Sequence, residues 1–388
     1  VFRSPALKQS FPLLLTILTQ KIGQIGISII PVLLIEREIS SQDSSQIMFA
    51  VRSAVFVGIL FGGWISDRIG HRITLLFSYF LGAIALGGLP WATTAIVIGA
   101  LGFLAQLSKA MGQPASRMLL THLVDPQHQQ EALGWGRTVN NLGQAFAFSI
   151  GAALGALGTN PLFWFDAATL LAALFLGLWL IPGKKVSGTA PKKSFKRAAH
   201  EIFTPSVHNL ILCGLILAGW TLIDDLFMVG IAARLKILRP DAGLQMFSQI
   251  MILNTILCTA FAVIAARKLT RVIPTLATGT IITGVGLWVA LNWIDSTWGV
   301  FAGAFLVSAG EVIFSAVSQF ALIQVTPHGP HESSWYSTGL ILQSLGRLAG
   351  STLAFPLIVE HPDPSLWIAA ATGLTLVPLF FLGRRSTV

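Results

Sequence analysis

Charge is what this chain has least of. Of its 388 residues, 11% are Asp, Glu, Lys or Arg, whereas a soluble domain carries about 25%. So little polar surface excludes an ordinary water-soluble globule: apolar residues make up 54% of the chain and the mean hydropathy is +0.74. Cysteine is nearly absent. Cys213 and Cys258 both lie within apolar runs, which argues against a disulfide framework or a thiolate metal site. The eight histidines fall mostly in loops, as His328 and His331 do, and no two share a run at metal-ligand spacing. There is no Gly-x-Ser-x-Gly elbow and no phosphate-binding loop, so neither a serine hydrolase nor a self-contained nucleotide-driven pump is expected. No nucleophile–base pair appears, and the chain is expected not to be an enzyme. The first residues, VFRSPALKQS, lack a signal-peptide cleavage pattern, so the chain is expected to begin close to its first membrane helix.

What the chain has instead is apolar runs of about 20 residues, the length that crosses a bilayer. They predict twelve spans, near 11–35, 46–66, 73–89, 94–118, 132–156, 161–182, 208–232, 246–266, 274–293, 298–322, 334–358 and 365–383. The net charge of +9 would suggest nucleic acid in a soluble protein, but here it marks topology. With both termini cytoplasmic, 16 of the 25 Lys and Arg fall inside, and Arg37, Arg234, Lys236 and Arg239 fall outside. That asymmetry follows the positive-inside rule, with the three after span seven as a local violation. The one long polar stretch contains Lys184, Lys185, Lys192, Lys193, Lys196 and Arg197 and reads as a tether. The expected fold is therefore an all-α membrane protein. A six-helix bundle over 1–182 and another over 207–388 are joined by a basic linker at 183–206. An internal echo, FGGWISDRIGHRITLL at 61–76 against FAVIAARKLTRVIPTL at 261–276, makes the halves pseudo-symmetric. In such paired bundles a solute site forms at the midplane.

An ionisable group inside a span costs about 2.5–3.5 kcal/mol on insertion scales, so it faces a cavity or a partner. Lys21 is the deepest cation, with Gln24 and Ser28 on the same helical stripe. Span four repeats that spacing in Gln106, Lys109 and Gln113. Span five carries Arg137, Asn141 and Gln144, with Asn140 beside them. Arg52 enters span two from its outer side. The N-terminal half is thus expected to present a basic, amide-rich lining, and the C-terminal half to hold the acids. Glu311 lies in the middle of span ten, with Ser315, Ser318 and Gln319 on its face. Asp224 and Asp225 follow Trp220 in span seven, and Gln343 and Arg347 share a face of span eleven. Each has a bland alternative: Arg52, Lys109 and Arg137 can snorkel to an interface, and Lys21 can belong to an interhelical ion pair.

Between spans two and three lies GWISDRIGHR, residues 63–72. A short turn with an acid, several basic residues and two glycines is unlike a solvated loop. Gly63 allows close helix approach, Gly70 a tight reversal, and Asp67 can accept from a neighbouring helix N-terminus, where the dipole favours negative charge. Arg68 and Arg72 hold the turn in the cytoplasm. The stretch resembles the loop 2–3 signature of the major facilitator superfamily, matched here by Gly63, Asp67, Arg68, Gly70 and Arg72. The resemblance covers the whole chain and implies the major facilitator fold. It also implies that the motif gates conformational change, its aspartate contacting a helix end when the outward-open state forms. LGWGRTVNNLG at the start of span five looks like the drug–proton antiporter-like, twelve-span branch, and GEVIFSAVSQF in span ten resembles the glycine-glutamate start of several proton-coupled branches. Ala147 and Phe148 stand where that branch has glycine-proline, a departure that weakens the case for antiport.

The expected function is proton-coupled secondary transport of a small organic solute. Export of an anionic or zwitterionic metabolite, siderophore or drug by alternating access leads; uptake by proton symport and a lipid-handling flippase are the alternatives. Glu311 is the first choice for the proton site, followed by Asp224 and Asp225. Lys21, Gln24, Arg52, Lys109, Arg137, Asn141, Trp220, Gln319, Gln343 and Arg347 are the candidate solute contacts. No cofactor or metal is expected beyond the proton gradient. The partners are the solute, protons and the lipid bilayer, not nucleic acid, around a monomer in a bacterial inner (plasma) membrane.

Overall fold

All twelve expected spans become helices in the computed structural model, which describes residues 4–155, 157–183, 205–239, 243–327, 329, 331–354 and 365–385. The helices are α1 (Pro5–Ile22), α2 (Gly26–Glu36), α3 (Ser41–Ile69), α4 (His71–Gly88), α5 (Ala95–His122), α6 (Gln129–Gly155), α7 (Thr159–Leu180), α8 (Pro205–Leu238), α9 (Gly243–Lys268), α10 (Val272–Asn292), α11 (Thr297–Val325), α12 (Glu332–Ala354) and α13 (Ser365–Arg385). Several begin where a hydroxyl can satisfy an orphan N–H: Ser4, Ser40, Thr94 and Ser296 accept from Leu7, Asp43, Val97 and Gly299. The linker expected at 183–206 falls almost wholly outside the described residues, as does the end of span eleven at 355–358.

Among the described residues, nine helices are both long and apolar enough to cross a membrane. The three expected spans that fall short are the first, fifth and eleventh, which carry Lys21, Arg137 and Arg347. Polarity is concentrated on the spans expected to contact solute.

Span one departs from its expected form. It is not one helix over 11–35 but two, α1 and α2, separated at 23–25. Gln24 N–H donates to the Lys21 carbonyl at 3.2 Å and Ile25 N–H to that of Gly23 at 2.6 Å, closing a tight turn. The stripe Lys21–Gln24–Ser28 is therefore not continuous: Lys21 ends α1 and Gln24 stands in the break.

The described chain forms two compact units. One holds α1–α7 and the start of α12 as far as Ser337; the other holds α8–α11, α12 from Thr338, and α13. Leu13, Leu33, Leu75, Leu86, Phe163 and Leu170 centre the first core. Ile223, Phe227, Leu287, Val300 and Val307 centre the second. Lipid removes most of the hydrophobic drive between helices, so close backbone approach carries the packing. In the second unit α10 and α11 meet through glycines. A methyl on Gly303 would lie 2.5 Å from Ala290 N and 2.6 Å from the Gly286 carbonyl. Gly303→Ala is expected to cost about 1–3 kcal/mol by overpacking, read as a lower melting temperature of the purified protein.

Candidate functional site

The first unit gathers its polar groups around the break in span one. Lys21 packs its backbone against Gly143 of α6, where a methyl would lie 3.4 Å from Lys21 Cα. Lys109 of α5 acts on Lys21 and Asp166; Gln106 belongs to the same helix, and Asn140 and Asn141 belong to α6, two to three residues before Gly143. Buried and without a hydrogen-bond partner are Gln24 Oε1, Gln106 Oε1, Asn140 Oδ1 and Asn141 Nδ2. Buried polar atoms almost always have partners, so each of these four amides keeps capacity for one further hydrogen bond. Arg137 is half-buried near them, whereas Arg52 is exposed.

One acid overturns the expected segregation of charge. Asp166, on α7 and 3% exposed, lies at the break itself. Its carboxylate accepts the Gly26 N–H at 2.9 Å and interacts electrostatically with Lys109 and Lys21. The N-terminal half is therefore not purely basic, and an anion that acts on Lys21 comes from its own unit. An isolated Asp, the sixth residue of span six, in NPLFWFDAATLL, was the available signal. It went unused because nothing in the linear order of residues connects it to Lys21.

The second unit holds the other acids. Glu311 is half-buried on α11, and Asn254 Nδ2 of α9 donates to its Oε2 at 2.6 Å. Asn254 was not among the expected residues. Asp225 pairs with Arg347 Nε at 3.7 Å, bringing together two candidates from spans seven and eleven. Asp224 is buried. The Gln343 carbonyl accepts from the Thr221 hydroxyl at 2.9 Å, and Gln319 is half-buried on the Glu311 helix. Trp220 is 5% exposed. Its ring lies parallel to Phe314 with centroids 4.6 Å apart, and its Nε1–H donates to Thr283 at 3.4 Å. Trp220, a candidate solute contact, thus stands in a helix interface.

The turn motif is built as a latch within the first unit. Asp67 Oδ1 accepts the Ser333 N–H at 2.8 Å and Oδ2 the Ser334 N–H at 2.9 Å; the Ser334 hydroxyl donates as well. A carboxylate thus sits on the N-terminus of α12, where helix dipole and free N–H groups both favour it. Gly63 is needed because a side chain there would strike the Ser333 carbonyl and Ser337. Gly70 joins α3 to α4 at φ +92°, a left-handed conformation that suits glycine. Arg68 lies over the Trp64 ring, 3.9 Å from its centroid, and Arg72 Nη2 donates to the Leu178 carbonyl at 2.8 Å. The sequence reading missed His71, whose Nδ1 lies 2.6 Å from Ser66 Oγ and 3.2 Å from Ser333 Oγ. Its ring centroid is 5.0 Å from that of His122, and His122 Nε2 in turn approaches Glu332 at 3.8 Å.

Long apolar helices in two units, polar residues confined to a few spans and a turn clasped to a helix end define an integral membrane protein of the secondary-transporter class. The Major Facilitator Superfamily profile matches residues 13–274, and the chain belongs to that superfamily. A Bacillus subtilis (strain 168) relative, the uncharacterized MFS-type transporter YqjV, is 24% identical over 347 residues, covering 84% of this chain and 81% of its own. Among solved structures, the human organic anion transporter MFSD10 (TETRAN) is similar over 98% of this chain and 100% of its own, with a TM-score of 0.75 at 15% identity. The proton:xylose symporter XylE, bound to 6-bromo-6-deoxy-D-glucose, matches over 97% and 96%, with a TM-score of 0.66 at 13% identity. The chain has the major facilitator fold and is a transporter.

Proposed function

We propose that this transporter moves a small anionic or zwitterionic organic solute in exchange for protons, by alternating access. The observation that carries the reading is the charge and hydrogen-bonding capacity at the break in span one. Lys109 and Arg117 act on Lys21 there, with the carboxylate of Asp166 as the opposing charge. The same unit holds unpartnered amide atoms on Gln24, Gln106, Asn140 and Asn141. An excess of cations among free amide groups favours a carboxylate-bearing solute over a lipophilic cation. MFSD10 transports organic anions and XylE couples xylose to protons, but at these identities both support the fold alone. The choice of solute class rests on this chain's own residues.

Uptake into everted and right-side-out vesicles, across a panel of labelled organic acids, amino acids, sugars and cations, tests the proposal and its direction. Acidic solutes are expected to accumulate in everted vesicles under an imposed pH gradient. Preference for lipophilic cations, or movement of a labelled phospholipid alone, would replace it with drug export or lipid handling. Lys21→Ala is expected to weaken binding of acidic solutes by about tenfold or more, the worth of one charge-assisted contact, and of neutral ones far less. A destabilised Lys21→Ala protein with unchanged affinities would instead make Lys21 part of an ion pair only.

A further inference from the structure

The second segment of span one begins without a cap of its own. Its N-cap residue is Ile25, which makes no side-chain cap hydrogen bond, and its first turn carries no acid. A helix start in this position leaves N–H groups that need an acceptor. The acceptor comes from another helix: Asp166 of α7 takes the Gly26 N–H at 2.9 Å. The fit is tight. A methyl on Gly26 would lie 2.9 Å from Asp166 Oδ2, 3.0 Å from Leu86 Cδ2 and 3.2 Å from Phe163 Cδ1. One on Gly23 would strike the Thr169 hydroxyl and lie 3.0 Å from Asp166 Cα. The break in span one is thus seated directly on one ionisable group, with no intervening side chain.

The charged groups acting on Asp166 are Lys109 from α5 and Lys21 from α1, with Arg117 of α5 acting on Lys21. At Gly26, α4 contributes the apolar Leu86, while α7 itself adds Phe163. A cap alone would not need a charge, since an asparagine oxygen accepts an N–H equally well in geometry. The two lysines are what make the ionisation state matter.

We infer that Asp166 is a proton-binding residue of the first unit, and that its protonation loosens the α1–α2 break. Ionised, the carboxylate holds the start of α2 and attracts both lysines. Taking one proton from water leaves a neutral carboxyl, a weaker acceptor with no net attraction for Lys21 or Lys109; the proton returns to water when the clamp re-forms. This deepens the proposed proton coupling and rests on it for its purpose, although its test requires no solute.

Hydrogen-exchange mass spectrometry of the purified full chain in lipid nanodiscs, corrected for the intrinsic pH dependence of exchange, reads the segment around Ile25 and Gly26. Protection is expected to fall by about tenfold on acidification, the loss of one charge-assisted hydrogen bond. Asp166→Asn should abolish that pH response, and Asp166→Ala should remove the protection at every pH. Lys109→Gln keeps the carboxylate but removes a stabilising cation, so the transition should move to higher pH by about one unit. Should the Asp166 variants not fold, the parent protein and Lys109→Gln still decide. Protection independent of pH in the parent, an unchanged response in Asp166→Asn, or no upward shift in Lys109→Gln would overturn the inference. A pH-dependent break in a protein that proves not to couple transport to protons would sink the coupling and leave the Asp166 assignment standing.

Discussion

Replacing Asp67 by Asn is expected to slow solute transport by about ten- to hundredfold while leaving equilibrium solute binding within a few-fold of the parent protein. The carboxylate accepts from the Ser333 and Ser334 N–H groups at 2.8 and 2.9 Å and from the Ser334 hydroxyl. Hydrogen bonds to a charged group contribute about 1.5–3 kcal/mol, and a helix N-terminus adds its dipole. Asparagine keeps one acceptor oxygen and loses the charge, so the state that makes this contact loses stability of that order. Each 1.4 kcal/mol is about a tenfold change in population, which sets the expected range. Ser334→Ala removes the hydroxyl donor and keeps the N–H, so its effect should be several-fold smaller. A double-mutant cycle should show the two changes to be non-additive. Binding and transport lost in equal measure would place Asp67 in solute recognition and not in gating.

The second large effect is expected at Glu311. Glu311→Gln should abolish accumulation driven by a pH gradient while leaving solute exchange without a gradient close to that of the parent. A carboxyl group in the middle of a span is costly, and such groups mark ion or proton pathways. The substitution retains size and the ability to accept from Asn254 Nδ2, which lies 2.6 Å from Oε2, so lost coupling cannot be blamed on a lost contact. Asp225 is the weaker candidate because its carboxylate already pairs with Arg347 at 3.7 Å. Gradient-driven accumulation that survives Glu311→Gln would move the coupling site to Asp224, Asp225 or Asp166. Proteoliposomes with and without an imposed gradient separate these outcomes.

The candidate residues differ in how visible they were beforehand. Asp67 stands out as the acid of a short basic turn between spans; Lys21 and Glu311 stand out because each is an ionisable group where hydropathy demands an apolar one, and that conflict is local. Asp166 satisfies the same criterion, yet its importance depends on the Gly26 N–H, 140 residues away. Asn254 is a single amide in an apolar run, unremarkable until Glu311 lies against it. Trp220, an indole near two aspartates, suggests a solute contact, but the stacked Phe314 ring comes from another helix.

The number of spans, their approximate limits and the turn motif were determined by the sequence alone, because each follows from short-range physics. A bilayer demands about 20 apolar residues per span, hydroxyls cap helix starts, and only certain residues permit the reversal at Gly70. The partners of the polar residues were decided by tertiary structure. Which acid faces Lys21, which helix end receives Asp67 and where span one breaks all depend on groups far apart in the chain. The break shows the reason most plainly. Residues 11–35 are apolar enough to form one continuous helix, and the local glycines permit but do not require an interruption. What favours it is a carboxylate from α7 that satisfies the N–H left open at Gly26, an interaction that exists only once α7 has packed against span one.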